Sequence, residues 1–214
     1  GCPAKTVNRH DGGATLLKYP KRIREIVAAV RGAVPANVPV SAKLRLGWDD
    51  QESIHENAAM AAEGGANWLT IHARTKVQGY APPVFWPQIG KVRQDLGIPI
   101  VANGDIWNLD DFFRCREETG CIHFMIGRAA LASPNLPTQI AMELGLVERG
   151  DLPELDWIPL LRQLAVHTDQ LDGRGPKRTL VRLKQWLSLA KNHGGFEHFD
   201  AVKRAENLHE FFEI

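Results

Sequence analysis

Four short segments decide the fold: Val40-Ser41-Ala42-Lys43, Leu69-Thr70-Ile71-His72, Ile100-Val101-Ala102-Asn103-Gly104-Asp105 and Phe124-Met125-Ile126-Gly127-Arg128. Each is an apolar run that ends in a polar residue or a glycine, and these ends recur every 24 to 31 residues. Strands of a βα barrel are buried on both faces and are therefore apolar, whereas their C-terminal ends open onto a shared mouth. The repeat predicts a barrel enzyme whose active site lies at these strand ends.

Helical patterns alternate with these runs, which predicts right-handed βαβ units and a parallel α/β sheet. Four strands are half of a closed barrel, so we expect the C-terminal half of a (β/α)8 TIM barrel over residues 1–150. Its open sheet edges predict pairing with a missing N-terminal half or with a dimer mate. The predicted helices span 20–33, 52–64, 86–96, 109–119 and 135–145, and the predicted strands span 38–46, 67–72, 98–103 and 122–127.

The pattern after Gly145 is purely helical, with a hinge marked by Gly150, Pro153 and Pro159. We therefore expect a small all-helical domain over residues 151–214. Within 177–191, one helical face is apolar and the other is basic. The apolar residues are Leu180, Leu183, Trp186, Leu187 and Ala190, and a last helix is expected to carry Phe199, Val202, Ala205, Leu208 and Phe211.

The composition excludes several classes of protein. With 214 residues and 44% hydrophobic content, the chain is long enough for one sizeable core and a smaller unit. No apolar run approaches the roughly 20 residues of a membrane span and no signal peptide is recognised, so we expect a cytoplasmic protein without a membrane partner. The three cysteines, Cys2, Cys115 and Cys121, have no zinc or disulfide spacing, and we expect no metal site.

The net charge of +1 hides an asymmetry along the chain. Residues 1–32 carry seven Lys/Arg against two acids, and residues 174–204 carry eight against two, whereas residues 33–173 carry eleven against eighteen. Two basic regions around an acidic middle indicate a polyanion partner such as nucleic acid, although solvated basic helices explain the same counts.

The strand ends carry the candidate chemistry. Backbone amides at Asn103-Gly104-Asp105 and at Gly127-Arg128 are placed to hold a phosphate, although a structural glycine turn would look the same. Lys43 and His72 close the two preceding strands; a lysine there stabilises an anionic electron-accepting ring, and a histidine hydrogen-bonds a carbonyl or moves a proton. Their shared register with the phosphate loops favours a common site.

Cys2 stands where the end of a further strand is expected. A thiol is mostly protonated at neutral pH, so Cys2 is a candidate general acid. The alternative is a buried structural cysteine, and the spacing does not decide between the two.

Taken in order, these motifs resemble the tRNA-dihydrouridine synthases. The segments that carry the resemblance are Gly1-Cys2-Pro3, Gly12-Gly13-Ala14, Lys43-Leu44-Arg45-Leu46-Gly47, His72-Ala73-Arg74-Thr75, Gly79-Tyr80, Asn103-Gly104-Asp105-Ile106 and Ile126-Gly127-Arg128-Ala129-Ala130-Leu131. The helical segment Arg182-Leu183-Lys184-Gln185-Trp186-Leu187 is similar to the bacterial C subfamily, which modifies uridine 16 of the tRNA D-loop.

The resemblance implies an FMN enzyme, recharged by NADPH, that reduces the C5=C6 bond of a uracil base in tRNA. It assigns proton donation to Cys2 and an active-site role beside the flavin to His72. Flavin contacts fall on Lys43, Asn103, Gly104, Asp105, Gly127 and Arg128. Contacts with tRNA fall on Tyr80, Arg182, Lys184 and Lys203.

Two other functions stay open at this point. One is a different FMN barrel oxidoreductase that acts on a free metabolite, against which the basic face of residues 177–191 argues. The other is a catalytically inactive RNA-binding fragment.

Overall fold

The structure is a computed structural model that describes residues 1–172 and 175–213, with the side chains of 169–172 outside the description. Its strands are β1 (Ser41–Arg45), β2 (Trp68–His72), β3 (Ile100–Asn103) and β4 (His123–Met125). Its helices are α1 (Lys5–Asn8), α2 (Pro20–Ala33), α3 (Ser53–Glu63), α4 (Trp86–Asp95), α5 (Leu109–Thr119), α6 (Arg128–Ala132), α7 (Leu136–Glu143), α8 (Trp157–Asp172), α9 (Pro176–His193), α10 (Phe199–Val202) and α11 (Leu208–Glu213). A 3₁₀ helix spans Gly13–Lys18.

The four strands form one parallel sheet in the order β1-β2-β3-β4, which confirms the predicted α/β class. In register, His72 on β2 lies opposite Asn103 on β3, and Asn103 lies opposite Met125 on β4. Because all four strands run the same way, their carboxyl ends share one edge of the sheet. The half barrel itself stays a prediction.

Burial of the sheet explains its apolar sequence. Leu69 and Ile71 of β2 are fully buried, as is Ala102 of β3. Helices α3, α4 and α5 connect successive strands and bury Ile54, Ile89 and Phe112. The strand interior is therefore apolar, and polar side chains concentrate where the strands end.

The chain folds into two compact units. The first comprises residues 1–106 and 110–126, and the second comprises 107–109 and 127–214. The main division therefore falls at Gly127, whereas the sequence predicts a boundary at 150. The functional assignment of 1–150 and 151–214 stays a prediction.

The second unit is helical and has its own core. The predicted apolar face of 177–191 is confirmed, because Leu180, Leu183 and Leu187 of α9 are buried. They pack in a cluster with Leu161, Val202, Ala205 and Phe211.

Several predicted bounds are wrong. The last helix is two helices, α10 and α11, because Asn207 accepts a hydrogen bond from the Glu210 amide (3.0 Å) and starts a new helix as a cap. Strand 38–46 shortens to β1, since Pro39 has no amide to donate. Pro159 does not mark a hinge but lies in the first turn of α8, where proline is tolerated.

Candidate active site

Lys43 does not close β1, as the sequence predicts, but lies in the middle of that strand, where its backbone pairs with Thr70. Its side chain reaches Asn103 at the carboxyl edge of the sheet. The Lys43 amine donates a hydrogen bond to Asn103 Oδ1 (3.0 Å), and Asn103 Nδ2 donates to the Met125 carbonyl (2.7 Å). The middle of β1 and the ends of β3 and β4 are thus joined by one chain of hydrogen bonds. Partial burial, and then the nearby Arg45, lower the pKa of Lys43 from its ordinary value. The site therefore concentrates positive charge that an anionic group would relieve.

His72 lies at the end of β2 and is 8% exposed. Burial, followed by repulsion from Arg45 and Lys43, lowers the pKa of His72 to about 3. The ring is therefore neutral near pH 7, with one nitrogen a donor and the other an acceptor. A neutral ring can form hydrogen bonds, but it does not act as a charged imidazolium acid at this pH.

Gly104 is required by its surroundings. An added Cβ would lie 2.8 Å from His72 Cδ2, and the residue has a φ of +122°, which side chains rarely adopt. The buried Trp86 indole donates from Nε1 to the Gly104 carbonyl (2.9 Å). The backbone after β3 is therefore packed against the His72 ring and is held there by the hydrogen bond from Trp86.

Asp105 is held by a buried arginine. Arg74, which is fully buried, donates from Nη1 to Asp105 Oδ1 (2.9 Å) and from Nη2 to Asp105 Oδ2. Its Nε donates to the Ala81 carbonyl (2.7 Å). Asp105 has a φ of +47°, a left-handed conformation that aspartate adopts more readily than most residues. Arg74 thus engages both oxygens of the Asp105 carboxylate, and the cofactor contact expected of Asp105 stays a prediction.

A second buried arginine positions the loop that carries Tyr80. Arg45 is 2% exposed and donates from Nη1 to the carbonyls of Thr75 and Gly79, both at 2.8 Å. Its guanidinium lies 5.4 Å from the centroid of the Tyr80 ring, which is 56% exposed. The Tyr80 and His72 ring centroids are 6.5 Å apart. Tyr80 is thus an exposed aromatic ring beside the strand ends.

Cys2 is exposed, so the structure does not place it in the core. Its carbonyl accepts hydrogen bonds from Asn8 Nδ2 (2.9 Å) and from the Ala14 amide (2.8 Å). The preceding residue, Gly1, lies against β1, since an added Cβ there would be 2.9 Å from the Lys43 carbonyl. These contacts bring the thiol-bearing residue to the strand that carries Lys43.

Gly127 and Arg128 belong to the second unit, where they begin the short helix α6. An added Cβ on Gly127 would meet no atom within 4 Å, so its backbone is open to close approach. The Arg128 guanidinium lies 5.0 Å from the Trp107 ring centroid, and Trp107 stacks on His193 with centroids 3.8 Å apart. A shared phosphate site with Asn103-Gly104-Asp105 stays a prediction.

The predicted tRNA contacts in the helical region have structural partners. Lys184 is half-buried and donates to the Ala205 carbonyl (2.6 Å), whereas Lys203 pairs with Asp200 (2.6 Å). Arg182 is exposed on α9. Lys184 therefore also ties α9 to the chain after α10, and a role in tRNA binding stays a prediction for all three.

Sequence reasoning gave no role to Arg45, Arg74 or Trp86, although all three shape the site. For the two arginines, the sequence did contain a signal. Each is a charged residue at the end of an apolar strand, where burial is expected, and each stands two residues after a predicted site residue. A buried arginine needs partners, and here they are loop carbonyls and Asp105. Only the folded structure shows which groups these are.

Comparison with family models matches residues 1–171 to the family described as Dihydrouridine synthase (Dus). The chain belongs to the dihydrouridine synthase family. It is 48% identical over 189 residues to the tRNA-dihydrouridine(16) synthase of Shewanella oneidensis, a match that covers 88% of this chain and 58% of that protein. It is 42% identical over 219 residues to the tRNA-dihydrouridine(16) synthase of Neisseria meningitidis serogroup B, covering 100% of this chain and 65% of that protein.

This dihydrouridine synthase chain thus spans about three fifths of the length of the curated relatives it matches. Among the residues that the structure describes, no helix is long and apolar enough to cross a membrane. The same residues contain no group of three or more His, Cys, Asp or Glu side chains suited to a metal ion.

Proposed function

We propose that the protein reduces a uridine of tRNA to 5,6-dihydrouridine, with FMN as cofactor and NADPH as reductant. The observation that carries the proposal is the convergence of Lys43, His72 and Asn103 at one sheet edge in a chain of this family. The names of the relatives support position 16 as the target. In this proposal residues 1–150 are the half-barrel catalytic domain, residues 151–214 bind tRNA, and the reaction takes place in the cytoplasm.

The residues of the first unit fit a flavin mononucleotide. Within the described part of the chain, Asn103 is the one hydrogen-bond acceptor of the Lys43 amine, which leaves donors of that amine for the flavin ring. Gly104 has no side chain to block approach, and a Cβ there would collide with His72. Lys43 would contact the ring, while the backbone of Asn103, Gly104 and Asp105 would hold the ribityl and phosphate groups. For Gly127 and Arg128, which belong to the second unit, phosphate contacts stay a prediction.

Bound FMN would supply the hydride that C6 of the uracil ring accepts. The uracil then carries excess negative charge on C5 and O4, and it needs a proton on C5. The Cys2 thiol would donate this proton, so that its S–H bond breaks as the C5–H bond forms. Its exposure makes Cys2 accessible to a base presented from outside.

His72 would act as a neutral hydrogen-bond donor. With its pKa at about 3, the ring carries no charge at neutral pH, and it can donate to a uracil or flavin carbonyl without competing as an acid. Tyr80 would lie against a tRNA base that has left its stack, because its ring is exposed and held in place by Arg45.

The test is the activity of the Cys2→Ala variant. In the purified protein supplied with FMN, NADPH and unmodified tRNA, we expect this variant to lower the rate of dihydrouridine formation by about 10²- to 10⁴-fold, the usual contribution of a general acid. FMN binding, followed by flavin fluorescence, and tRNA affinity are expected to stay within about twofold of wild type, since Cys2 makes its fold contacts through its backbone.

A matched chemical control uses the other two cysteines. Cys115 and Cys121 are buried, so alkylation of the native protein with iodoacetamide reaches Cys2 first. Burial raises the pKa of both of these thiols, so they remain protonated and react more slowly with iodoacetamide, which attacks the thiolate form. Alkylated wild type is expected to lose activity. Undiminished dihydrouridine formation by Cys2→Ala refutes the proton-donor role, and absence of dihydrouridine in the loaded wild type refutes the proposed reaction.

A further inference from the structure

Two lysines converge on one tryptophan beside the candidate active site. The Lys18 Nζ lies 4.0 Å from the centroid of a Trp48 ring, and the Lys76 Nζ lies 4.1 Å from it. At most about 8 Å therefore separates the two ammonium groups. Lys18 is exposed, and Lys76 and Trp48 are half-buried. We call Lys18, Trp48 and Lys76 the Trp48 patch.

The fold places the Trp48 patch at the carboxyl edge of the sheet. Trp48 follows β1 and Lys76 follows β2, while Lys18 ends the 3₁₀ helix that leads into α2. The Lys76 amide donates to the Gly47 carbonyl (2.9 Å), and the Val77 amide donates to the Trp48 carbonyl (2.8 Å). The loops that carry Trp48 and Lys76 are thus joined by their backbones, at the edge where the Lys43 amine meets Asn103.

Gly47 makes this arrangement possible. An added Cβ there would lie 1.9 Å from the Asp50 carbonyl oxygen, so the chain after β1 turns more tightly than a side chain permits. The turn holds Trp48 in a fixed place, and the ring in turn aligns the two lysines by cation–π attraction. The ammonium groups keep their N–H donors for an external acceptor.

The two lysines of the Trp48 patch form no ion pair among the described residues. Within the described residues, neither Lys18 nor Lys76 has a carboxylate within 4.0 Å, the limit for an ion pair. Nearby carboxylates exist: Asp11, Glu25 and Glu56 line a cleft that also holds three cations, Lys18, Lys21 and Arg22. Two like charges held near one ring repel each other, and an anion that approaches both of them lowers their electrostatic energy. The surface is open, which favours an extended polyanion over a small ligand that needs an enclosed pocket.

We propose that the Trp48 patch binds the phosphate backbone of tRNA at the rim of the active site. This rests on the proposed function, and it adds a contact of the first unit to those expected of Tyr80 and the helical region. The patch positions the RNA and carries no sequence information, because its contacts are with phosphates.

The test is a charge-removing double variant, Lys18→Gln/Lys76→Gln. The matched control is Lys91→Gln/Arg116→Gln, which removes the same charge from α4 and α5, away from the loops that follow the strands. tRNA affinity is measured by fluorescence anisotropy over a series of salt concentrations. We expect the patch variant to lose about tenfold in affinity at low salt, and its slope of log K against log salt to fall by roughly 1 to 2, while the control stays within about twofold.

Circular dichroism verifies that both variants are folded, as expected for changes at lysine and arginine side chains on the surface. Trp48→Leu is expected to weaken binding less than the double variant does, because it removes the alignment and keeps both charges. The proposal is overturned if the patch variant binds tRNA like wild type, or if the control loses as much affinity.

Dihydrouridine formation by the wild type, measured in parallel, separates this proposal from the proposed function. If the wild type forms dihydrouridine while the patch variant keeps its tRNA affinity, the patch is wrong and the function stands. If no dihydrouridine forms but tRNA binding depends on Lys18 and Lys76, the function is wrong and the patch stands. If no dihydrouridine forms and the patch variant binds tRNA like wild type, both are overturned. If dihydrouridine forms and the patch variant loses affinity, both stand.

Discussion

Replacing Gly104 by alanine places a methyl group where the structure has no room for one. The new Cβ would lie 2.8 Å from His72 Cδ2 and 3.3 Å from the Ala73 amide nitrogen. Ordinary van der Waals contacts begin at 3.4 Å. The His72 ring would have to move, although it is packed in a buried position.

Two costs add in this variant. A side chain at a φ of +122° costs of the order of 1 to 3 kcal/mol, and overpacking a close-packed site costs a further 1 to 3 kcal/mol. We expect the free energy of unfolding to fall by about 2 to 6 kcal/mol. Because the collision is with His72, we also expect weaker FMN binding in the folded protein.

Urea denaturation measures the change, with Gly97→Ala as the matched control. An added Cβ on Gly97 meets no atom within 4 Å, so this variant is expected to be unchanged or up to about 1 kcal/mol more stable. A loss of less than about 1 kcal/mol for Gly104→Ala contradicts the assigned steric role of Gly104.

Two further predictions concern groups beside Gly104. Because the pKa of His72 is about 3 in the folded chain and near 6.5 when unfolded, only the unfolded state takes up this proton as the pH falls between these values. Over this pH range, the free energy of unfolding of the wild type should therefore fall with decreasing pH, by about 1.4 kcal/mol per pH unit more than that of His72→Gln. Urea denaturation at several pH values measures both, and equal pH dependence of the two proteins contradicts the prediction. Arg74→Met removes the guanidinium that engages both oxygens of the Asp105 carboxylate, and it should lower the free energy of unfolding by about 3 kcal/mol. The double variant Arg74→Met/Asp105→Asn should recover part of this loss. If the losses of the two single variants simply add in the double variant, the two residues are not coupled.

The sequence determined the class of fold and the edge of the sheet at which two of the candidate residues lie. Apolar strands with polar ends follow from burial on both faces of a parallel sheet, so His72 and Asn103 could be assigned to one edge from pattern alone. Lys43 was also expected at a strand end, but it lies in the middle of β1 and reaches that edge only through its side chain. Residue motifs were specific enough to indicate the family, which the family match over residues 1–171 bears out. Local patterns also predicted α2 with its observed bounds.

Only the tertiary structure decided how the site residues are held. The neutral state of His72 depends on its burial and on the cations around it, and the pairing of Arg74 with Asp105 joins residues 31 positions apart. Likewise, Lys18 and Lys76 come together only through the Trp48 ring. Sequence periodicity reports which face of an element is buried, whereas desolvation and charge pairing depend on three-dimensional neighbours that periodicity does not specify.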